Sequence, residues 1–304
     1  MRKWHELKFF STDHFEVPLP EGHRFPIEKY RLVREALVAE KILSDEQIIP
    51  AVEASEKDIL LAHSEKYFYG IKNGTLPEKE LRPIGLTWSP QLFSRSLGAV
   101  NGFISATENA LRDGFSATLS GGTHHAHADR GEGFCVFNDF AVSALKILNE
   151  KRVSKILIID LDVHQGNGNS SILGTRDDVF ILSLHGERNY PFRKVPSHLD
   201  VPLPEHIDDE EYLRALSSAL SPLRYLNPDI IFYQAGVDVL KEDKLGTFDL
   251  SFEGIVERDR MVFEFQKYLQ VPMAMALGGG YAKPIALTIE AHLNTYKVAR
   301  EFFS

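Results

Sequence analysis

The chain has one cysteine, Cys135, in 304 residues. An internal disulfide is therefore impossible, and so is a structural zinc site built on two to four thiolates. Long hydrophobic runs are also missing. The longest are strand-length pieces such as Ile156–Ile159 and Ile230–Tyr233, far short of a membrane span. Met1 to Phe10 is charged throughout and has no apolar core, so no signal peptide is expected. Positive charge is not in excess. Lys and Arg number 34 against 43 Asp and Glu, a formal net charge of −9. An acidic surface repels phosphate, which argues against a nucleic-acid partner. No repeat, low-complexity tract or Ser/Gly/Pro linker interrupts the sequence. What is present is an ordinary globular mix, 43% hydrophobic and 25% charged, long enough to bury most of its apolar surface. The expectation is one soluble domain over residues 1–304, in a reducing and cytoplasmic compartment, with neither nucleic acid nor membrane as partner.

Short apolar runs alternate with longer amphipathic ones. Ala117–Leu119, Ile156–Leu161, Val179–Leu184, Ile230–Tyr233 and Met273–Leu277 have strand length and lack clean polar alternation. They read as parallel strands covered on both faces. Between them the pattern is helical. Ser89 and Pro90 suit the N-cap and first position of a helix that stops near Gly114. Asp208 caps an expected helix over Asp209–Leu220, with Pro222 ending or kinking it. Ser251 caps another through Tyr268, Pro284 opens the last one to about Phe302, and an early helix fits Ile27–Leu43. The alternation predicts an α/β domain with a mostly parallel sheet. Ligands of such folds bind beyond the carboxyl ends of the strands.

Four strand ends are unusual. Leu119-Ser-Gly-Gly-Thr-His-His-Ala126 puts His124 and His125 on a loop, where both can face a pocket or simply be partly exposed. Asp160, Asp162 and His164 alternate after Ile158, and period two would place them on one face. Three such groups at a buried strand end need a counter-charge, and a divalent metal supplies it. The plainer alternative is a turn in which Asp160 caps backbone amides. Tyr233-Gln-Ala-Gly-Val-Asp238 delivers a further acid, either a third metal ligand or a helix-capping Asp. Leu277-Gly-Gly-Gly-Tyr281 brings flexible backbone and a hydroxyl to the same mouth. It lacks the Lys and Ser/Thr of a phosphate-binding P-loop.

Together these motifs resemble the zinc-dependent histone deacetylase family. The matching segments are Gly121-Gly-Thr-His-His-Ala126, Gly133-Phe-Cys-Val-Phe-Asn-Asp139, Asp160-Leu-Asp-Val-His-Gln-Gly-Asn-Gly168, Gln234-Ala-Gly-Val-Asp238 and Gly278-Gly-Gly-Tyr281. The resemblance covers essentially the whole chain. Within the family it is most similar to class IV and its bacterial relatives, on Gly85-Leu-Thr-Trp-Ser-Pro90, Asp129-Arg-Gly-Glu-Gly-Phe134, Gln165 and Asn167. It implies the three-layer α/β/α arginase/deacetylase fold, with a central sheet of about eight strands.

The resemblance also implies roles. Asp162, His164 and Asp238 would hold a catalytic zinc. His125 would be the general base, and it or His124 would protonate the leaving amine. Asp160 would orient His124. The partner of His125, often an Asp in class I members, is here the neutral Asn167, which implies a lower His125 pKa. Tyr281 would donate to the tetrahedral oxyanion. Gly133, Phe134, Gly279 and Tyr190 would line an acyl-lysine tunnel. Structural potassium would sit near Asp160, on that side chain and on carbonyls of Asp162, His164, Ser183 and Leu184. A second potassium would use carbonyls near Leu173, Arg176 and Val179. His23 would lie near the pocket rim, and Cys135 would be a buried small hydrophobe.

The expected activity is zinc-dependent hydrolysis of acyl groups, acetyl or longer, from lysine side chains of a peptide or protein. Rival readings are a long-chain fatty-acyl-lysine deacylase, an acetylpolyamine or small-amide deacetylase, and a non-catalytic acyl-lysine binding module. The complete ligand set, both histidines and Tyr281 argue against the binding module. A binuclear manganese enzyme of arginase type is disfavoured because only one ligand set is visible.

Overall fold

The computed structural model describes residues 2–20 and 22–304. Eight strands form one sheet: β1 (Phe9–Ser11), β2 (Ile48–Pro50), β3 (Phe115–Thr118), β4 (Ile156–Asp160), β5 (Val179–Gly186), β6 (Leu199–Leu203), β7 (Ile230–Gln234) and β8 (Met273–Ala276). The order is β2-β1-β3-β8-β7-β4-β5-β6, and every pair is parallel. A parallel sheet must be covered on both faces, and this one is. In β4, Leu157 and Ile159 join one core and Ile156 and Ile158 the other. All four are fully buried, each contributing about 1.5–3 kcal/mol.

Helix ends follow their local chemistry. Ser89 Oγ accepts the Leu92 N–H at 3.0 Å, with Pro90 at the first position of a helix running to Asp113. Asp208 and Ser251 cap the helices Asp209–Leu223 and Phe252–Leu269, and the last helix is Ile285–Phe303. Two bounds differ from the sequence reading. The helix after Asp208 continues through Pro222 to Leu223, and Ser218, whose carbonyl the missing N–H would have bonded, is an exposed residue. The early helix covers only Lys29–Ala39, since Lys41 turns left-handed (φ 55°) and the Ile42 and Leu43 N–H groups bond back to the Leu37 carbonyl.

Three strands and one long helix escape the sequence reading. β1 and β2 span three residues each, too few to show a period. β6 contains Asp200 and Pro202, which an edge strand tolerates. The helix Asp139–Asn149 is largely buried, yet its polar positions Asp139, Ser143 and Lys146 recur at helical spacing, a signal the sequence reading passed over.

Candidate active site

The ladder of β4 stops at Asp160, which pairs in register with Ser183 of β5 and Gln234 of β7. Asp162 and His164 therefore do not lie on the strand, contrary to the period-two argument. They converge because the chain bends, and carboxylates hold the bend. Asp160 Oδ1 accepts the Asp162 N–H at 3.3 Å, and Asp162 Oδ1 accepts the His164 N–H at 3.0 Å. Asp160 thus caps a backbone amide as well as facing the site. Asp238, beyond β7, accepts the Val163 N–H at 3.0 Å. Asp162 Oδ2 takes the Gly279 N–H at 2.7 Å, which ties in the loop after β8.

These bonds bring three donors together. His164 Nδ1 lies 3.0 Å from both Asp162 Oδ1 and Asp238 Oδ2. Ligand atoms of Asp162, His164 and Asp238 all fall within 4.8 Å of one another, and all three residues are buried. Burial, reinforced by the Asp162 charge, pushes the Asp238 carboxyl up to about 7. Two buried carboxylates competing for one imidazole call for a further positive charge. The donor set, two carboxylates and one imidazole, suits a divalent cation with open coordination positions. Ser183 and Leu184 lie on β5 alongside.

The histidine pair stands next to this cluster. His124 Nδ1 is 2.8 Å from Asp160 Oδ2, and His125 Nδ1 is 2.8 Å from Asn167 Oδ1. Burial opposes protonation of His124, but the Asp160 and Asp162 charges outweigh it and lift its pKa to about 9. His125 has no carboxylate partner, and burial together with the neighbouring imidazoles pushes it well below its ordinary value. The loop is pinned from beneath. Asp139 Oδ1 accepts the Thr123 N–H at 2.7 Å, and Thr123 Oγ1 accepts the Asp139 N–H at 3.0 Å.

A mouth of about 650 Å³ opens onto the site, lined by His23, Pro83, Gly133, Phe134, Tyr190, Phe192, Leu245 and Tyr281, among others. Phe134 holds a left-handed backbone (φ 66°), rare for an aromatic residue. Its N–H bonds the Ile84 carbonyl at 2.8 Å, and its ring packs on Phe25 at 5.1 Å. Gly133 precedes it at φ 58°, and a Cβ there would lie 2.6 Å from His125 Cδ2. Tyr190 sets its ring edge-on to His125 at 5.0 Å. Gly279 lies deeper than the tunnel wall expected for it. It packs over Asp162 and Asp238 and lines a smaller inner cavity of about 70 Å³, whose lining also includes Tyr30, Arg95 and Ser96. Cys135 is buried, and burial pushes its thiol far up. His23 reaches the rim, 3.1 Å from the Gly85 carbonyl.

The loop carrying Tyr281 is held on two sides. Asp243 Oδ2 accepts the Tyr281 N–H at 2.5 Å. Lys29, fully buried, points its ammonium at the Gly278 carbonyl (3.2 Å) and sits 4.9 Å from the Tyr281 ring centre. Burial raises the Tyr281 phenol well above 10, so it keeps its proton at neutral pH. Sequence reasoning missed Lys29, Arg95, His127 and Glu132. Only Glu132 stood in a segment already singled out, Asp129–Phe134, and there as a mark of class.

The histone deacetylase domain profile matches residues 23–296. An uncharacterised protein of Picosynechococcus is 38% identical over 290 residues, covering 95% of this chain and 97% of its own. Histone deacetylase 2 of Arabidopsis thaliana is 34% identical over 277 residues, covering 88% of this chain and 72% of its own. The crystal structure of a histone deacetylase homolog from Aquifex aeolicus superposes with a TM-score of 0.82 at 25% identity, over 96% of this chain and 84% of that one. A homolog complexed with SAHA gives the same TM-score at 26% identity. Eight parallel strands, the residues gathered at their carboxyl ends and these matches lead to one conclusion: this chain belongs to the histone deacetylase domain family.

Proposed function

We propose that this deacetylase-family protein is a zinc-dependent hydrolase of short acyl groups on lysine side chains. The observation that carries the reading is the arrangement at the end of the mouth. An imidazole on a carboxylate and an imidazole on an amide stand beside three converging candidate metal donors, with Tyr281 lining the same pocket.

Asp162, His164 and Asp238 would hold the zinc. When bound there, zinc acts as a Lewis acid towards an amide carbonyl. The chain supplies the rest. Phe134 and Tyr190 pack the aliphatic lysine stem. His125, neutral on Asn167, takes a proton from the attacking water. His124, held protonated by Asp160, gives one to the leaving amine, or His125 returns its own. Partners that push two neighbouring histidines apart are what an acid–base pair needs. Tyr281 donates to the oxyanion as the carbonyl becomes tetrahedral.

The inner cavity supports a limit on the acyl group. At about 70 Å³ against 650 Å³ for the mouth, it is the narrower of the two spaces, which favours acetyl and its short homologues over a fatty chain. The polyamine reading lacks an anchor. The described residues lining the mouth include His23 and Arg24 and no carboxylate, so none of them offers a second ammonium group a counter-charge.

The test is hydrolysis of lysine peptides carrying acetyl through myristoyl, with acetylputrescine alongside, before and after chelation. Expected are turnover of the short acyl peptides, its loss with chelator and its return with zinc. Silence of the zinc-loaded protein on every acyl-lysine peptide would refute the reading. Preference for myristoyl-lysine or acetylputrescine would replace it.

A further inference from the structure

Asn167 presents two different ends to two different neighbours. Its Oδ1 lies 2.8 Å from His125 Nδ1. Its Nδ2 lies 2.5 Å from Glu132 Oε1 and 3.2 Å from His127 Nε2. An amide is nearly symmetric in shape, so partners alone decide which way it points.

The nearer partner on the Nδ2 side, Glu132, is an acceptor. Burial works against ionisation of Glu132, but its contacts with His127, Asn167 and Arg130 outweigh this and hold the carboxyl below its ordinary value. At neutral pH it can only accept. The Arg130 guanidinium lies 3.1 Å from His127 Nε2. The same His127 Nε2 lies 3.5 Å from Glu132 Oε1, so the carboxylate is the acceptor that decides the amide's direction. A reversed Asn167 would press its carbonyl oxygen against that carboxylate.

We propose that Glu132 is a positioning residue that locks the Asn167 amide and thereby sets the tautomer of His125. With Asn167 Oδ1 facing it, His125 Nδ1 must carry the proton and donate. Nε2 is then left with its lone pair, free to accept a proton from water. If the amide turns, Nδ2 presents an N–H to His125 Nδ1, which must then accept. The ring proton moves to Nε2, and the base is blocked.

This rests on the reading of His125 as the proton acceptor, and it goes further by assigning a residue outside the family motif of strand ends. It also gives the neutral Asn167 a carboxylate one step removed.

The test compares wild type, Glu132→Ala and Glu132→Gln in two measurements. Steady-state kinetics use an acetyl-lysine peptide. The ring tautomer of His125 is read by ¹⁵N NMR, with its signals assigned by their loss in His125→Ala. Glu132→Ala should lower kcat by about ten- to a hundredfold, the range of a lost charge-assisted hydrogen bond, with KM unchanged. Its His125 signal should shift towards the Nε2–H form. Glu132→Gln, whose Oε1 can accept the same N–H, should restore most of the rate and the Nδ1–H form. Should Glu132→Ala fail to fold, Glu132→Met keeps the volume of the stem and takes its place. Wild-type kcat and tautomer in the Ala or Met variant overturn the proposal. So does a folded Gln variant as impaired as Ala, or an Nε2–H tautomer in wild type. A wild-type protein without hydrolase activity would sink the proposed function. The tautomer comparison would still decide this inference.

Discussion

Replacing Tyr281 by Phe removes one oxygen and leaves a ring of nearly the same volume. The ring keeps its neighbours: Phe134 at 6.2 Å and the Lys29 ammonium at 4.9 Å. The backbone keeps its bond to Asp243. The metal donors Asp162, His164 and Asp238 are untouched, so zinc content should stay at the wild-type level. The lost group is a hydroxyl that retains its proton, because burial raises its pKa well above 10. Its value lies in the transition state, where charge collects on the carbonyl oxygen. Losing one oxyanion donor costs about 10²–10³ in kcat, roughly 2.7–4 kcal/mol. A donor that acts only in the transition state should leave KM little changed. The assay is kcat and KM on an acetyl-lysine peptide, with zinc per chain measured by plasma mass spectrometry on the same preparation. A kcat within about threefold of wild type, at full zinc occupancy, would refute the assignment of Tyr281.

Other perturbations reach different parts of the site. Asn167→Asp places a carboxylate against His125 Nδ1, now 2.8 Å from an amide oxygen. A neighbouring negative charge favours the imidazolium and raises the pKa by about 1–3 pH units. Because His125 must be neutral to accept a proton, the acid limb of the pH–rate profile should move to higher pH, and an unchanged limb contradicts the role. Gly133→Ala puts a Cβ 2.6 Å from His125 Cδ2 on backbone at φ 58°. It should destabilise the fold by about 1–3 kcal/mol and reduce kcat, so unaltered melting and turnover would show that this wall is loose. Removing metal with a chelator should abolish hydrolysis and lower the melting temperature, since Asp162 and Asp238 lose their counter-charge and a bound ion stabilises by mass action. Added zinc should restore both, and chelator-insensitive turnover would exclude the zinc mechanism.

The sequence alone determined the fold class, and its likeness to the deacetylase family singled out the candidate metal ligands. Metal and acid–base chemistry demand particular residue types at short spacings, so His124, His125, Asp160, Asp162, His164, Asp238 and Tyr281 stand out where apolar runs end. The inference reached Asp162 and His164 through a period-two argument that the structure does not uphold, because β4 ends at Asp160 and a carboxylate-held bend does the gathering. Short or edge strands left no period to read, whereas the helix Asp139–Asn149 carried one in Asp139, Ser143 and Lys146 that went unread.

Only the tertiary structure decided which groups back the site. Lys29 meets the Gly278 carbonyl across 249 positions, and Glu132 meets Asn167 across 35. Such contacts depend on strand order and loop packing, to which local patterns are blind. The size of the inner cavity is of the same kind. The cavity is bounded by residues from distant segments, Arg95, Ser96 and Tyr30 together with Asp162 and His164. Residue chemistry written along the chain could announce a deacetylase. The size of the inner cavity, and which carboxylate meets Asn167, follow from packing between segments far apart in sequence.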